Sequence, residues 1–327
     1  MEADPLLMRF LLLLAALFLD WLIADREPLT HPVVLIGRLI EELEEYLLDR
    51  RGRSFSTGLL LTISTLLITC FFTLLLGRML GFIHFLPRAL FDLYIYYTGL
   101  AAGSLARSGR RLAGRLQRDN LPAARALASG LITRDTDKMD EEDLCRAGIE
   151  TVAENLNDAV IAPLLFSFIF GPVGMIAYKT IDTLDSMIGY DNREYAELGR
   201  AAARLDDLAS WIPARLTAFT LIFAALLPGY SASRSWKTMR SDSRLTKSPN
   251  AGYPEAAMAG ALGVRLGGPD YYFGQLVEKP YLGESLRPAT PAALLGAVKL
   301  IYITEIIFFL AAGYLLLRWL AFLPLPL

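Results

Sequence analysis

The chain has 327 residues, of which 54% are hydrophobic and 20% are charged. An ordinary soluble domain is more charged, so this composition indicates a membrane protein. The formal net charge of −2 provides no basic field for nucleic acid, and no nucleic-acid partner is expected. Two histidines are too few for a histidine-rich metal centre. The two cysteines, Cys70 and Cys145, are far apart and suggest neither a disulfide framework nor a zinc site.

Six apolar runs follow one another along the chain. A run of about 20 apolar residues is long enough to cross a bilayer. We predict an all-α polytopic integral membrane protein with about five membrane-associated helices, one of them broken or re-entrant, and large helical polar loops. The chain is treated as a single membrane-embedded domain, 1–327. Its apolar runs are 6–24, 57–76, 80–105, 160–178, 212–227 and 300–320.

Two of the segments between these runs read as amphipathic or capped helices. After Pro32, apolar residues recur at helical spacing while glutamates occupy the other face, which predicts an amphipathic helix. Farther along, Asp140 is well placed as the N-cap of a helix that opens with acidic residues. The apolar residues after Pro32 are Val33, Ile36, Leu39, Ile40, Leu43 and Leu47.

The run at 160–178 is interrupted by Pro163 and by the sequence GPVG at 171–174. A straight spanning helix tolerates such residues poorly, so a bent or re-entrant segment is expected. Broken elements of this kind occur where backbone lines a cavity enclosed by protein or water.

Lysine and arginine counts bear on the orientation of the chain. With five simple spans, residues 78–159 and 228–299 share one side and carry most of the positive charge, which makes that side cytoplasmic. The polar segment 179–211 would then lie outside. If the polar motifs form one site, one apolar run does not cross fully. The broken run is the favoured exception, and a crossing by the 80–105 run is the alternative.

Acidic side chains are concentrated near the broken run. Glu150, Glu154 and Asp158 are spaced i, i+4 and i+8, so one helix places them on a common face, close to Asn155. Asp182 and Asp185 follow on a second segment and Asp207 on a third. Such charges beside apolar sequence are costly unless paired, hydrated or liganded. They suit a hard cation such as Mg²⁺. Simple pairing with arginines and the cation site of a transporter remain alternatives.

Basic and hydroxyl side chains form a possible counterpart for phosphate groups. Arginine and lysine clamp phosphates, and serine or threonine hydroxyls add donors. Positive charge in cytoplasmic loops is an equally good explanation for any one of these cations. The candidates are Arg134, Lys179, Arg204, Arg215 and Lys247, with Thr136 and Ser248.

A second informative stretch covers residues 248–269. Its prolines and glycines fix an irregular loop from which Asn250 and Glu255 project, and we favour a site role for both. The small residues that follow predict close helix–helix packing, or contact with a flat ligand. The aromatic run 271–273 offers faces for stacking or an interfacial aromatic belt.

The common catalytic and nucleotide signatures are absent. The sequence contains no GxxxxGK[ST], no GxGxxG after a strand, no GxSxG and no HExxH. The carboxylate set is therefore the main evidence for chemistry.

Six motifs, in one order from about His31 to Gly274, resemble the adenosylcobinamide-phosphate synthase family, the CobD/CbiB membrane enzymes of cobalamin biosynthesis. The chain departs from the family pattern at Asp182, where Asn is expected, at Thr133, where Gly is usual, and at residues 156, 157 and 159. These departures bear on the ligand set more than on the family. The motifs are HPVVLIGRLI, the RDT of ITRDT, ETVAENLNDAVIAP, DTLDSMIGY, AAARLDDLASWIPARLTA and SPNAGYPEAAMAGALGVRLGG.

The resemblance implies a reaction. A carboxylate of adenosylcobyric acid is joined to the amine of aminopropanol phosphate, or of a related amino alcohol phosphate, to give an amide. An amide does not form from a free acid without activation, so ATP and Mg²⁺ are implied, with the carboxylate activated as an acyl phosphate. The family also implies the prokaryotic cell membrane, with the active-site loops in the cytoplasm; a homo-oligomer is left open.

Roles for individual residues follow from this resemblance and from their chemistry. Glu154 is the first choice as the base, with Glu150 and His31 as further catalytic candidates; His31 could also contact the corrin or be structural. Mg²⁺ is assigned to Asp158, Asp182, Asp185 and Asp207. Substrate and phosphate binding is assigned to Arg134, Asp135, Thr136, Asn155, Lys179, Arg204, Lys247, Ser248, Asn250 and Glu255.

Two other classes of protein are compatible with the chain. A transporter for a cation or an organic anion would also have buried acids and a broken apolar run. However, the sequence shows no internal repeat, and its polar loops are large for a carrier. A non-catalytic membrane subunit of a cofactor-assembly complex is the third possibility, which an assay for amide formation would distinguish.

Overall fold

The computed structural model describes residues 5–24, 31–190, 192–272 and 274–322. These residues are mostly helical. The helices are α1 Pro5–Ile23, α2 Pro32–Arg51, α3 Phe55–Ile83, α4 Phe85–Gly99, α5 Ala102–Leu116, α6 Leu121–Ala128, α7 Glu141–Leu156, α8 Ala162–Ile188, α9 Arg200–Ala209, α10 Trp211–Ala224, α11 Ala232–Asp242, α12 Gly252–Leu262 and α13 Pro291–Phe322, with a π-helical turn at Asn157–Ile161 between α7 and α8. The strands are β1 Leu266–Gly267, β2 Asp270–Tyr272, β3 Gln275–Val277 and β4 Tyr281–Leu282.

Four helical segments in the described part are long and apolar enough to cross a membrane. They are Pro5–Ile23, Phe55–Ile83, Glu141–Ile188 and Pro291–Arg318. The predicted all-α membrane fold is therefore confirmed. The run at 212–227 corresponds mainly to α10, whose 14 residues extend only about 21 Å, less than the roughly 30 Å of a bilayer core.

The apolar run 80–105 is divided among three helices. Its first residues complete α3, its middle is α4, and its end begins α5. His84 separates the first two helices because its backbone is extended, with φ −170° and ψ 158°. Its Nδ1 accepts a hydrogen bond from the N–H of Leu86 at 3.2 Å and so caps α4. Apolar composition alone did not reveal this cap.

The predicted break in the 160–178 run is confirmed within α8. Gly171 has φ 67° and ψ −151°, a conformation outside the helical region, and Pro172 follows it. Arg9 of α1 donates from Nη1 to the carbonyl oxygens of Phe168 at 3.0 Å and Ile169 at 3.1 Å. These bonds satisfy carbonyl groups that would otherwise lack partners where the helix is interrupted.

The chain divides into two compact units. Unit 1 comprises the described residues of Met1–Ala101, Ala162–Ser210 and Ala311–Leu327. Its clearest core cluster joins α2 to its neighbours, because the predicted apolar stripe of α2 is buried there. The cluster contains Ile36, Ile40 and Leu47 of α2 with Leu61, Leu184, Ile188 and Ala202.

Unit 2 comprises Ala102–Ile161 and Trp211–Leu310. Asp140 caps α7 as predicted, accepting from the N–H of Asp143 at 2.8 Å. The small residues of α12 pack against α11, where Ser235 donates to the carbonyl oxygen of Ala257 at 2.7 Å. A Cβ on Gly260 would lie 2.6 Å from the backbone oxygen of Arg234. The small side chains therefore serve helix packing, one of the two expected roles.

The region between α10 and α13 is polar and contains regular structure. It forms α11, α12 and two small antiparallel sheets. In one, β1 pairs with β4, with Leu266 opposite Leu282; in the other, β2 pairs with β3, with Tyr271 opposite Leu276. Strands of two or three residues are too short to show an alternating pattern. Residue 273 lies outside the described residues.

Candidate active site

A cavity of about 430 Å³ lies within unit 2. Helices α7 and α12 contribute carboxylates, and the loops before α7 and before α12 contribute cations. The segment that carries the four short strands completes the lining. The lining residues are Arg134, Glu150, Glu154, Thr246, Lys247, Ser248, Ala251, Glu255, Gly267, Tyr272, Val277, Glu278, Lys279, Pro280 and Leu282.

Glu150 and Arg134 form a buried ion pair in this lining. Glu150 is 4% exposed, and its Oε2 accepts from Arg134 Nη2. Its Oε1 accepts from the backbone N–H of Gly267 at 2.7 Å. Arg134 also donates from Nη1 to Asp270 Oδ2 at 3.0 Å. Both oxygens of Glu150 therefore have partners, and the guanidinium is held between two carboxylates.

The surroundings of Arg134 keep its guanidinium charged. Burial alone lowers the pKa of Arg134, but the charge of Glu150 and the hydrogen bonds to Glu150 and Asp270 raise it above its ordinary value. The guanidinium is therefore fixed in position, with its two Nη groups bound to the carboxylates of Glu150 and Asp270.

Glu154 and Glu255 bring two further carboxylates to the cavity from different helices. Glu154 lies one turn after Glu150, and both line the cavity, which confirms the predicted common face for these two residues. Burial raises the pKa of Glu255 well above its ordinary value of 4.5, and the charges of Glu154 and Glu150 raise it further. Lys279 and Arg134 oppose this effect. A proton or a cation would relieve the repulsion among these acids.

Asp158 is not among the residues that line the cavity. It lies in the π-helical turn that begins at Asn157 and follows α7. Asp158 Oδ1 instead accepts from Asn157 Nδ2 at 2.6 Å. Thr217 donates to Asn157 Oδ1 at 3.0 Å.

Lysines provide the cations of the cavity besides Arg134. Lys247 is exposed and forms no ion pair with the residues that the structure describes. Lys279 contacts the hydroxyl of Tyr272, and its Nζ lies 4.6 Å from the centre of that ring. The hydroxyl of Ser248 accepts from the N–H groups of Asn250 and Ala251, both at 3.2 Å. This turn fixes the loop that carries Lys247.

Four of the predicted binding residues of unit 2 do not line the cavity. Each of them forms a hydrogen bond with another residue of unit 2. Asp135 accepts from the N–H of Gly274 at 2.6 Å, and Thr136 donates to the carbonyl oxygen of Arg125 at 3.2 Å. Asn155 donates to the carbonyl oxygen of Thr151 at 2.9 Å. Asn250 is 5% exposed, and its Oδ1 accepts from Arg215 Nη1 at 2.9 Å.

The remaining predicted residues belong to unit 1. His31 caps α2, with Nδ1 accepting from the N–H of Val33 at 3.3 Å. Lys179 and Asp182 pair with each other at 2.5 Å. Asp185 follows in the same helix. Arg204 is exposed on α9, and Asp207 is half-buried there, where burial raises its pKa. Within the described ranges, no three His, Cys, Asp or Glu side chains are arranged as ligands of a metal ion.

A family model described as "CobD/Cbib protein" matches residues 13–301, most of the chain. The chain belongs to the CobD/CbiB family. Several of its relatives are named "Cobalamin biosynthesis protein CobD". The relative from Geobacter metallireducens is 44% identical over 300 residues, covering 92% of this chain and 94% of the relative. The Listeria monocytogenes relative is 40% identical over 310 residues, covering 93% and 98%. These names support a role in cobalamin synthesis. No solved structure matches this CobD/CbiB chain.

Sequence reasoning missed several residues of the cavity in this CobD/CbiB protein. Lys279, Glu278 and Thr246 carry no local motif, and Gly267 contributes a backbone N–H rather than a side chain. For Tyr272 the sequence indicates ring stacking or an interfacial aromatic belt, but no contact with a lysine of the site. The pairing of β1 with β4 brings the segment 278–282 to the cavity, and no spacing pattern in the sequence predicts that pairing.

Proposed function

We propose that the chain is an adenosylcobinamide-phosphate synthase that joins a carboxylate of adenosylcobyric acid to the amine of aminopropanol phosphate or a related amino alcohol phosphate. The observation that carries the proposal is the cavity of unit 2, where fixed cations and carboxylates face one another. Phosphate groups need the cations, and an ammonium nucleophile needs a carboxylate base.

The size of the cavity indicates which part of the reactants it receives. A volume of about 430 Å³ lies within the range of small-molecule sites, which is roughly 300–1,000 Å³. An amino alcohol phosphate and the phosphates of ATP fit such a space, whereas a corrin ring with its side chains is too large. The corrinoid would therefore insert only the reacting carboxylate.

The chemistry requires activation of that carboxylate. Its oxygen attacks the γ-phosphorus of ATP, the bond to the β-phosphate oxygen breaks, and ADP leaves. The amine then attacks the acyl carbon, the C–N bond forms, and inorganic phosphate leaves with the former carboxylate oxygen. Phosphoryl transfer depends mainly on positioning and on charge stabilisation, which Lys247 and Lys279 provide in this proposal.

Glu154 serves as the base in this proposal. The amine arrives as an ammonium ion and must lose a proton before or during attack. Both oxygens of Glu150 are already bound to Arg134 and Gly267, so Glu150 orients the guanidinium instead. Glu154 lines the same cavity one turn along α7. A carboxylate within reach of the ammonium can accept its proton.

The cavity also fits a magnesium ion bound through a phosphate. Mg²⁺ usually takes one or two protein carboxylates and completes its shell with water and phosphate oxygens. Glu154 and Glu255 are two acids close enough for Glu154 to raise the pKa of Glu255. Glu255 would hold Mg²⁺, which would supply neutralisation of phosphate charge, and Glu154 would remain the base. The roles of Asp182, Asp185 and Asp207 as ligands, and of His31 as a base, stay predictions.

The four apolar helical segments support a location in the prokaryotic cell membrane. We propose that the loops of unit 2 face the cytoplasm, because ATP is available there and because residues 78–159 and 228–299 are rich in arginine and lysine.

The test uses purified full-length protein in lipid nanodiscs with ATP, Mg²⁺, aminopropanol phosphate and adenosylcobyric acid labelled with ¹⁸O in the reacting carboxylate. The proposal expects one amide and one ADP per turnover, with one ¹⁸O in the inorganic phosphate. If the ¹⁸O appeared in AMP instead, the carboxylate would be activated as an acyl adenylate rather than as an acyl phosphate. Binding of the corrinoid without product would indicate a non-catalytic subunit and overturn the proposal.

A further inference from the structure

A second cavity of unit 2 lies at the opposite end of α12 from Glu255. It has a volume of about 440 Å³ and is lined by two arginines, a tyrosine and a serine among other residues. These are Arg234, Arg287, Tyr230 and Ser231. None of them lines the cavity described above.

Both arginines are anchored at the C-terminal end of α12. Arg234 Nε donates to the carbonyl oxygen of Gly260 at 3.0 Å, and Arg287 Nε donates to that of Leu262 at 2.5 Å. Gly263, with φ 68°, ends the helix beside them. Part of their role is thus to bind carbonyl groups that have no partner within the helix.

Capping uses only the Nε donor of each side chain. A guanidinium carries several N–H groups, and those on Nη1 and Nη2 form the fork that binds phosphate or carboxylate in two places. Neither Arg234 nor Arg287 forms an ion pair within the described part of the chain. Two positive charges without a carboxylate partner in one cavity leave a place for an anion.

The start of α11 adds to this positive character. Ser231 is its N-cap, and its Oγ accepts from the N–H of Arg234 at 3.2 Å. The helix has 11 residues, so its N-terminus carries a partial positive charge directed at the cavity wall formed by Ser231. The helix dipole and the two guanidinium groups therefore all attract an anion to the cavity.

The cavity also lies beside apolar surface. Leu226 and Leu227, just before the lining residue Pro228, are 59% and 73% exposed, and the lining residue Leu286 is 57% exposed. A Cβ on Gly296, near the start of the candidate span Pro291–Arg318, would lie 2.6 Å from the hydroxyl oxygen of Tyr230. Arginine and tyrosine beside exposed leucines at a span end are typical of the lipid–water interface.

We propose that this cavity is a phosphate-binding site, distinct from the proposed active site, in which Arg234 and Arg287 bind the phosphate group from two sides. Either an anionic phospholipid headgroup or a free phosphate compound presents this chemistry. With a lipid, its acyl chains would lie against the exposed leucines and tie unit 2 to the bilayer surface.

The test compares delipidated full-length protein in neutral detergent with two double variants. Arg234→Gln/Arg287→Gln removes the site, and Arg118→Gln/Arg240→Gln removes the same charge from exposed arginines that do not line the cavity. Native mass spectrometry measures binding of phosphatidylglycerol and of phosphatidylcholine with the same acyl chains. Inorganic phosphate is then titrated in a thermal-shift assay.

The site variant is expected to weaken binding by about tenfold or more, the effect of losing a charge-assisted contact, while the control stays near wild type. Selective binding of phosphatidylglycerol identifies a headgroup, and stabilisation by inorganic phosphate identifies a free compound; either supports the site. If the double variant does not fold, Arg287→Gln alone, at an exposed residue, is measured in the same way. Binding of neither probe by wild type, or equal binding by the site and control variants, overturns the proposal.

Discussion

Removing Arg134 should destabilise the protein more than removing any of its partners. Its side chain is 9% exposed and pairs with Glu150 and Asp270, whose side chains are 5% and 11% exposed. In Arg134→Gln, two nearly buried carboxylates lose their counter-charge. Breaking a buried pair from one side costs about 3–5 kcal/mol of unfolding free energy.

Replacing Glu150, the partner of Arg134, should lower the unfolding free energy by less. In Glu150→Gln the side-chain oxygen can still accept from the N–H of Gly267, and Arg134 keeps Asp270. The lost charge-assisted bond is worth about 2 kcal/mol. Because the two residues are in contact, the double variant should fall short of the sum by about 2 kcal/mol.

Chemical denaturation in detergent micelles, followed by circular dichroism, measures these differences. Arg200→Gln is the control, because its pair with Glu197 is exposed at 42% and 60%. Such a surface pair is worth at most about 1 kcal/mol. Equal costs for Arg134→Gln and Arg200→Gln, or strict additivity in the Arg134/Glu150 cycle, would refute this reasoning.

Three further predictions concern single residues. Lys247→Ala should raise KM for aminopropanol phosphate or ATP by about tenfold, because one phosphate contact is lost, and an unchanged KM for both would move the phosphates elsewhere. The raised pKa of Glu255 means that the folded state binds the proton more tightly than the unfolded state does, so stability should fall as pH rises above 4.5. Glu255→Gln should flatten that decline between pH 4.5 and 8 in denaturation midpoints, and a parallel decline in both proteins would exclude this residue as the cause. Gly171→Ala should lower the unfolding free energy by about 1–3 kcal/mol, because φ 67° with ψ −151° is a region for glycine, and an unchanged midpoint would contradict the bend.

The membrane helices and the local caps were predictable because they depend on neighbouring residues. Composition identified most of the apolar segments, and the GPVG sequence located the break at Gly171. The N-cap Asp140 and the stripe of α2 likewise need only spacing. His84 was missed because histidine is an uncommon cap inside apolar sequence.

The candidate site was predictable only in part. Spacing put Glu150 and Glu154 on one face, and both line the cavity, but Asp158, which lies in the π-helical turn after α7, does not. Lys279 reaches the cavity through the pairing of short strands, which sequence patterns do not reveal. Motif order also groups Asp182, Asp185 and Asp207 with the acids of α7, and this grouping stays a prediction because the three residues belong to unit 1.

The most direct measurement of the central claim is amide formation by Glu154→Gln beside wild type in nanodiscs, together with corrinoid binding by absorbance titration. If the cavity of unit 2 is the active site and Glu154 is its base, the turnover number falls by about a hundredfold or more while the corrinoid Kd stays unchanged. A turnover number equal to that of wild type would contradict the account.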